Sequence, residues 1–397
     1  MSARDDSGGG ERGRIHVLAS PFRPFFLLGP LYGVILALAW SAARSGLGAA
    51  PAAWPLHLWH GHEMLFGFAA AMVSGFVLTA LPGWAGTREL HGGALAALAA
   101  AWLAGRIAFW AAPWLPPWLV AVVDGGYFLL LAGLVVPELL RLRARLYLWL
   151  VPVFAAFLIG NVVFHAGPPL GVPGAAAWGL KLALYGLLLL FSFVGGLLTP
   201  IFTGNELRAR GRAAPTFVPT LERLAVIAVL LYAATDLVGL AAAWRGAAAL
   251  FAAVVHGVRL ARWHGLAVRD QPLLWAMHLG YAWLVAAFAL RAAADLAGAP
   301  APDLALHAFT VGAFGMMKLS LMTRVALRHT GRPVRPAPAM VAAFALIGVA
   351  ALLRVAGAGS GAILVASALL WGGGLALFLG VHGAMLLRPS RPREVAA

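Results

Sequence analysis

Residues 178–201 read WGLKLALYGLLLLFSFVGGLLTPI, an apolar run in which Lys181 is the only charged residue. A bilayer core about 30 Å thick needs around 20 mostly apolar helical residues, so this run predicts a membrane-spanning helix. Eleven more runs of the same kind occur along the chain, separated by charged or Pro/Gly-rich breaks. The sequence therefore predicts an all-α membrane protein with about twelve transmembrane helices.

The predicted spans form a single transmembrane domain over residues 21–387. Residues 1–20 are polar and Gly-rich, without the apolar core of a secretory signal peptide. We expect them to be a disordered tail, and 388–397 to be a second tail. The twelve spans are predicted near 25–43, 59–81, 92–112, 117–137, 147–167, 178–201, 221–242, 246–262, 273–297, 303–324, 337–357 and 361–386.

Composition supports the membrane interpretation and excludes several kinds of site. Charged residues make up 11% of the chain, against about 25% in soluble domains. The chain has no cysteine, which excludes disulfides, iron–sulfur clusters, thiolate-bound haem and a c-type haem attachment. The net charge is +15, but the cations lie in short gaps between apolar runs. They are typical of topology signals and lipid-headgroup contacts, so no nucleic-acid partner is predicted.

The distribution of cations predicts the orientation. With the N-terminus inside, 22 of the 29 Lys and Arg residues lie in inside loops and tails, two lie outside (Arg44 and Arg245), and five lie within spans. Because cytoplasmic loops carry the positive charge, both termini are predicted to be cytoplasmic.

A short pattern recurs in three spans. Span two contains Gly75–Thr79, span six contains Gly195–Thr199, and span ten ends with Ser320–Thr323. The spacing predicts three pseudo-repeated four-helix units. Chance resemblance remains the alternative, because Gly, Leu and Thr are common in membrane helices.

Ionisable residues gather near the predicted outer ends of the spans. Such groups cost several kcal/mol inside a membrane unless they are paired, ligated or hydrated, so each is a functional candidate. Together they predict a polar chamber on the outer side, while His278 lies in the inner half of span nine. The chamber residues are His57, His60, His62, Glu63, Arg106, Asp124, Asn161, His165, Asp236, Arg291, Asp295 and His307.

The segment Trp59–Gly67, WHGHEMLFG, carries the densest chemistry. His60 and His62 are about 200° apart on an ideal helix, so they are expected to serve two centres or to frame a distorted helix start. Glu63 shares a face with His60 and could orient an imidazole that binds a metal. Interfacial anchoring is the alternative, and it is the preferred interpretation for His57.

Other polar residues have two interpretations each. His165, one turn after Asn161, suits a metal ligand and an interfacial anchor equally well. His278 lies between Trp275 and Tyr281, which suits a flat macrocycle, although helix-to-helix hydrogen bonding is the alternative. His307 is predicted to be a metal ligand. His16, His91, His256, His264 and His382 are predicted to be solvated or to snorkel to the membrane surface.

The remaining charged residues have less defined roles. Arg106 and Arg291 could neutralise haem propionates or pair with acids. Asp124 and Asp236 are candidate salt partners or proton carriers. Lys318, deep in span ten, receives no role.

The chain resembles the NnrS family, membrane proteins linked to the bacterial nitric oxide response. The segments that carry the resemblance are Phe22–Phe26, Trp59–Phe68, Gly75–Pro82, Gly105–Arg106, Gly160–His165, Gly195–Asn205, Gln271–Tyr281 and His307–Gly331. The resemblance implies a twelve-span inner-membrane protein that holds haem, expected to be of the b type, and copper. Its motif histidines match His60, His62, His165, His278 and His307, which become the candidate ligands. Two departures are Leu197, where an arginine is expected, and Lys318, where an apolar residue is usual.

The resemblance implies a protein that helps cells tolerate nitric oxide. A sharper hypothesis is a nitric oxide reductase that forms nitrous oxide and takes electrons from quinol or another external donor. Its candidate proton carriers are Glu63, Asp124, Asp236 and Glu206. The alternative is a secondary transporter, for which twelve spans and buried charges are ordinary, although it does not explain why histidines gather at one face.

Overall fold

The computed structural model describes residues 16–48, 53–141, 145–299, 301–357 and 359–392; within these ranges the chain is helical and contains no strand. Residues 1–15 and 393–397, which make up most of the two predicted tails, lie outside the described residues. We number the twelve long helices α1 to α12. They are Phe22–Arg44, Leu56–Trp84, Gly92–Trp110, Pro117–Leu140, Tyr147–Ala166, Ala175–Ala209, Pro219–Leu237, Ala242–Ala261, Pro272–Ala297, Pro302–His329, Pro338–Ala356 and Gly361–Leu387.

Ten of the twelve helices are long and apolar enough to cross a membrane. The other two are α7, with three charged residues, and α8, with two arginines. Both are about 30 Å long at 1.5 Å per residue, which matches the apolar thickness of a bilayer. Helix α7 packs against α6, α8 packs against α9, and the two pack against each other. The predicted all-α, multi-span membrane fold is confirmed.

Helices α2, α6 and α10 lie at the centre of the bundle. Their most apolar windows are 89%, 78% and 78% buried, whereas those of the other seven candidate spans are 33–50% buried. The surrounding helices pack largely in chain order, and α1 packs against α12 to complete the ring. The three central helices are those in which the recurring Gly and Thr pattern lies, an arrangement in keeping with three units of four helices.

Two of the central helices contain a π-helical segment. In α2 it covers Glu63–Ala69 and follows His62, and in α10 it covers Ala308–Phe314 and follows His307. Segments of this kind are rare and occur mostly at functional sites. A distortion in the Trp59–Gly67 motif was one of two expectations for His60 and His62; the structure has it directly after His62, beyond the regular helical residues Leu56–His62.

Arg23 ties the first helix to the end of the last one. Its Nη1 donates hydrogen bonds to the carbonyl oxygens of Leu386 and Arg388, at 2.8 and 2.6 Å, and its Nη2 donates to Ser390 Oγ at 2.8 Å. Ser390 in turn donates to the carbonyl oxygen of His329 at the end of α10. The first described residues after 387, within the predicted C-terminal tail, are thus part of the packed bundle.

Candidate metal sites and polar clusters

The first polar cluster lies between α2, α3, α4 and α5, and we call it the His62 cluster. Asp124 is at its centre: its Oδ2 lies 2.9 Å from Nε2 of His62 and 2.9 Å from Nε2 of His165, and it accepts a hydrogen bond from Asn161 at 2.6 Å. Arg106 pairs with both carboxylates, Asp124 and Glu63. The cluster consists of His62, Glu63, Arg106, Asp124, Asn161 and His165, all of them buried.

Both ring nitrogens of His62 face a carboxylate oxygen. Nδ1 lies 2.8 Å from Glu63 and Nε2 lies 2.9 Å from Asp124. A neutral imidazole has one N–H and can donate to only one of them. Both contacts can be hydrogen bonds only when a second proton, on the ring or on a carboxylate, is present. A bound cation could take the place of that proton.

Three side chains of the cluster can ligate the same ion. His62, Asp124 and His165 each offer one ligand atom, and these three atoms lie within 4.8 Å of one another. Two acceptor atoms in the cluster, Glu63 Oε2 and Asn161 Oδ1, are buried and have no hydrogen-bond partner in the described part of the chain. The ring of Phe109 stacks on His62 at 3.7 Å and helps to keep the site dry.

The second cluster lies between α6, α7, α8 and α9, and we call it the Asp236 cluster. Arg291 pairs with Asp236 at 3.1 Å and with Asp295 at 2.6 Å, and Arg245 pairs with Asp295 at 2.7 Å. Lys181 pairs with Asp236 at 3.1 Å from a side chain that is half exposed. Tyr185 also donates to Asp236, at 2.5 Å. The interpretation of Asp236 and Arg291 as salt partners is confirmed.

The third polar region is a cavity of about 460 Å³ between α1, α2, α6, α10, α11 and α12, which we call the central cavity. Its floor is apolar and includes Leu65, Phe68, Leu184, Phe314 and Trp371. Its ionisable residues lie near the outer ends of the helices and are His57, His60, Lys181, Asp303, His307 and Arg354.

The two motif histidines of the central cavity have different partners. His60 packs its ring on Trp40 at 4.4 Å, and its Nδ1 is buried without a hydrogen-bond partner among the described residues. His307 Nδ1 lies 2.8 Å from the carbonyl oxygen of Asp303, and its Nε2 lies 3.2 Å from Arg354. The predicted pairing of Glu63 with His60 is wrong. The π-helical segment that begins at Glu63 turns this carboxylate towards His62 and Arg106.

The three polar regions occupy corresponding places in the bundle. The first lies between α2 and α5, the second between α6 and α9, and the third between α10 and α12 together with α1 and the start of α2. The first two each contain residues from one central helix, whereas the central cavity is lined by all three. The predicted single chamber is therefore divided into three regions, of which the second and third share Lys181.

His278 lies near the opposite end of the bundle. Its Nε2 lies 3.0 Å from the hydroxyl of Thr203, near the end of α6. The centre of its ring lies 6.2 Å from the centre of the Trp263 ring. Trp275 packs against Phe344. Among the described residues, the ring of His278 contacts neither Trp275 nor Tyr281. Cofactor binding at His278 stays a prediction.

Tyr281 belongs to a buried polar group around Arg259. Arg259 donates to Tyr281 at 2.7 Å and to the carbonyl oxygen of Ser192 at 2.9 Å, and it pairs with Glu222. Tyr281 OH lies 2.7 Å from Nδ1 of His256. The prediction that His256 is solvated is wrong, because this hydrogen bond and a stacked phenylalanine keep it buried. The same is true of His382, which stacks on Phe378.

Arg259 also bears on the departure at Leu197. An arginine was expected on α6 directly after Gly195 and Gly196; the structure has the guanidinium of Arg259, from α8, beside Gly196. A Cβ at position 196 would overlap the Arg259 guanidinium. The positive charge near the paired glycines is present, but it comes from another helix.

Lys318 is buried among apolar side chains where the three central helices meet. Its Nζ lies 4.8 Å from the ring centre of Phe76 and 5.8 Å from that of Phe26. It borders a small cavity of about 30 Å³ that also includes Phe314 and Leu187, two residues that line the central cavity as well. Within the described ranges it has no carboxylate partner. Aromatic faces attract an ammonium group, which partly offsets the cost of burial.

Glu206 lies in an ion group near the C-terminal end of α6, apart from the three polar regions. Arg210 donates to Glu206 at 2.8 Å and to both oxygens of Asp270, at 3.0 and 2.7 Å. These hydrogen bonds from Arg210 lower the pKa of Asp270. Glu206 is therefore placed to organise the loop before α9.

Sequence reasoning missed four residues of the outer regions. Lys181, Tyr185, Asp303 and Arg354 lie near helix ends, where charged and aromatic residues usually serve as interfacial anchors. The signal that could have found them is the repeat itself, since Lys181 and Asp303 open the second and third central helices much as the histidines open the first.

The fold and these regions define a polytopic helical membrane protein with one buried histidine cluster and one cavity lined by partly buried histidines. The family model described as NnrS protein matches residues 16–390, nearly the whole chain, and the protein belongs to the NnrS family. No curated protein matches the chain.

Proposed function

We propose that the protein is a haem- and copper-containing membrane protein that captures nitric oxide in the bacterial inner membrane. The observation that carries the proposal is the central cavity of about 460 Å³, which joins an apolar floor to two histidines. The resemblance noted in the sequence supports the choice of ligand chemistry. The orientation with both termini in the cytoplasm would place the cavity near the periplasmic face.

The central cavity has the features that a haem requires. Haem is a flat apolar macrocycle with carboxylates at one edge, and its iron is often held by an axial histidine. Three buried nitrogens of the lining, His60 Nδ1, Arg354 Nη1 and Trp371 Nε1, have no hydrogen-bond partner among the described residues. Arg354 and Lys181 would pair with the carboxylates, while the leucines and phenylalanines of the floor would contact the ring.

His307 is the histidine best suited to hold the haem iron. Its Nδ1 donates to the carbonyl oxygen of Asp303, which fixes the tautomer and leaves the lone pair on Nε2. That lone pair faces Arg354 at 3.2 Å and would be taken by the iron. His60 lies in the same cavity with a free Nδ1 and would hydrogen-bond a bound diatomic molecule. Bound haem would supply the affinity for nitric oxide.

The His62 cluster has the features that a copper ion requires. Imidazole nitrogens are good copper ligands, and His62 and His165 present two of them beside Asp124. Glu63 would hold Nδ1 of His62, the usual way in which a carboxylate orients a metal ligand. A bound cation would also neutralise the charge of the second carboxylate, since Arg106 can offset only one of the two.

Turnover of nitric oxide is the sharper form of the proposal. Two molecules of nitric oxide, two electrons and two protons would give one nitrous oxide and one water. Electrons would come from quinol or another external donor.

The test is the spectrum and metal content of protein purified in detergent after expression with haem and copper supplied. We expect a Soret band that shifts on reduction and again on addition of nitric oxide, and copper close to one per chain. His307→Ala should abolish the Soret band, whereas His60→Ala should retain it and lose nitric oxide more rapidly. His91→Ala, at an exposed loop residue, is the matched control.

Steady formation of nitrous oxide with a quinol donor would distinguish a reductase from a protein that only binds nitric oxide. Colourless, metal-free protein that is monodisperse would contradict the haem and copper proposal. In that case substrate uptake into vesicles would test the transporter alternative.

A further inference from the structure

His60 and His62 are two residues apart in sequence but face different surroundings. His62 stacks on Phe109 of α3 and hydrogen-bonds to Asp124 of α4. His60 stacks on Trp40 of α1 and lines the central cavity. The two imidazoles therefore project from opposite sides of α2.

The two sites share helix α2 but no residue. The lining of the central cavity comes from α1, α2, α6, α10, α11 and α12. The His62 cluster is made by α2, α3, α4 and α5. None of its six residues lines the cavity. Helix α2 is thus the element that stands between the two sites.

The thickness of a helix sets the separation of ions held on its two sides. A helix with its side chains is about 10–12 Å across. Two-metal centres that act together on one substrate hold their ions about 3.5–4 Å apart. Ligands on opposite sides of α2 cannot bring two ions that close without unfolding the π-helical segment.

We propose that the protein holds its two metals in two separate single-metal centres on opposite sides of α2, and not in one two-metal centre. This inference rests on the proposed function, because it assumes that haem and copper are the groups bound. Nitric oxide would then bind only at the haem of the central cavity and not at the copper of the His62 cluster. The His62 cluster, which is buried and walled by aromatic rings, is an electron-holding or structural site.

Electron paramagnetic resonance of the oxidised, purified full-length protein tests the separation directly. Separate centres are magnetically independent, so the Cu(II) signal and the ferric haem signal should each integrate to the amount of metal found by analysis. A pair in one centre would couple, and both signals would be lost or strongly reduced. That outcome, with haem and copper present, would overturn the inference and leave the proposed function intact.

Ligand variants give a second and independent test. His165→Gln and Asp124→Asn should lower copper at least about tenfold and leave the Soret band and haem content unchanged. His307→Ala should remove haem and leave the Cu(II) signal unchanged. His91→Ala should change neither. Loss of both metals in each monodisperse variant would contradict two separate centres.

Failure of the proposed function would look different. Protein that binds neither haem nor copper would overturn the proposed function and this inference together. If a variant fails to give monodisperse protein, the resonance signals of the unsubstituted protein still decide between separate and joined centres.

Discussion

Arg259 of α8 lies against the backbone of α6 at Gly196, in space that a Cβ at position 196 would occupy. The guanidinium is held there by Glu222, Tyr281 and the carbonyl oxygen of Ser192. A buried arginine with all of these partners joins four helices, because Glu222 comes from α7 and Tyr281 from α9. The absence of a side chain at Gly196 thus makes room for a contact that joins four of the twelve helices.

Gly196→Ala is expected to destabilise the protein by about 1–3 kcal/mol, the usual cost of overpacking. The added methyl group must displace the guanidinium and weaken its bonds to Glu222 and Tyr281. Thermal unfolding in detergent, followed by intrinsic fluorescence, measures the effect. Gly257→Ala is the matched control, since a Cβ there meets only Val285 at 3.7 Å. Equal melting temperatures for the two variants would contradict the role given to Gly196.

Arg23→Ala is expected to lower the free energy of unfolding by about 2–4 kcal/mol. It removes charge-assisted hydrogen bonds, each worth about 1.5–3 kcal/mol, to Leu386, Arg388 and Ser390. Limited proteolysis should then cut the chain after 387 more rapidly. Arg388→Ala is the control, because its exposed side chain is not part of the tie and only its carbonyl oxygen is used. Unchanged cleavage in Arg23→Ala would show that the tie is dispensable.

Arg291→Gln and Lys181→Gln are expected to differ in cost although both remove a cation from Asp236. Arg291 is mostly buried and pairs with two acids, so its loss leaves buried carboxylates uncompensated and costs about 2–4 kcal/mol. Lys181 is 49% exposed, and such pairs contribute less than about 1 kcal/mol. Melting temperatures of both variants check the order. A larger loss for Lys181→Gln would mean that this lysine acts in the central cavity.

Lys318→Met is expected to raise the free energy of unfolding by about 1–3 kcal/mol. The ammonium group is buried without an acid partner in the described residues, and its removal avoids the cost of taking a charge out of water. Methionine is unbranched and close in length, so it should fill the same space. Thermal unfolding is the measurement, with Lys181→Met as the control. A fall in stability would show that the amine of Lys318 has a partner that holds it.

The fold was largely predictable from the sequence, because each helix is a local apolar run bounded by charged or Pro/Gly-rich breaks. The cations of the loops also set an orientation, as the contrast between Arg44 and the Arg208–Arg212 segment illustrates. Helices α7 and α8 were harder to assign by composition, since Glu222, Asp236 and Arg259 are stabilised only by contacts with other helices. Such charges lower the apparent apolarity of a span without exposing it.

The candidate site was predictable in its residues and not in its grouping. The sequence places His60, His62, His165 and His307 near one depth, but rotation about each helix axis decides which of them meet. For α2 that rotation depends on the π-helical segment at Glu63, which an ideal helical spacing cannot represent. The pairing of Glu63 with His62 instead of His60 follows from this one irregularity.

The hydrogen bonds of Arg23 to residues 386–390 join the first helix to the end of the last one, and they have a consequence for how the protein is made. Membrane helices enter the bilayer in the order of synthesis, so α1 is in place long before its partner α12 leaves the ribosome. During that interval the Arg23 guanidinium lacks its partners at Leu386, Arg388 and Ser390. The bundle becomes a closed ring only when the last residues emerge, so a chain that stops short of Leu386 is an open structure that quality-control proteases can recognise.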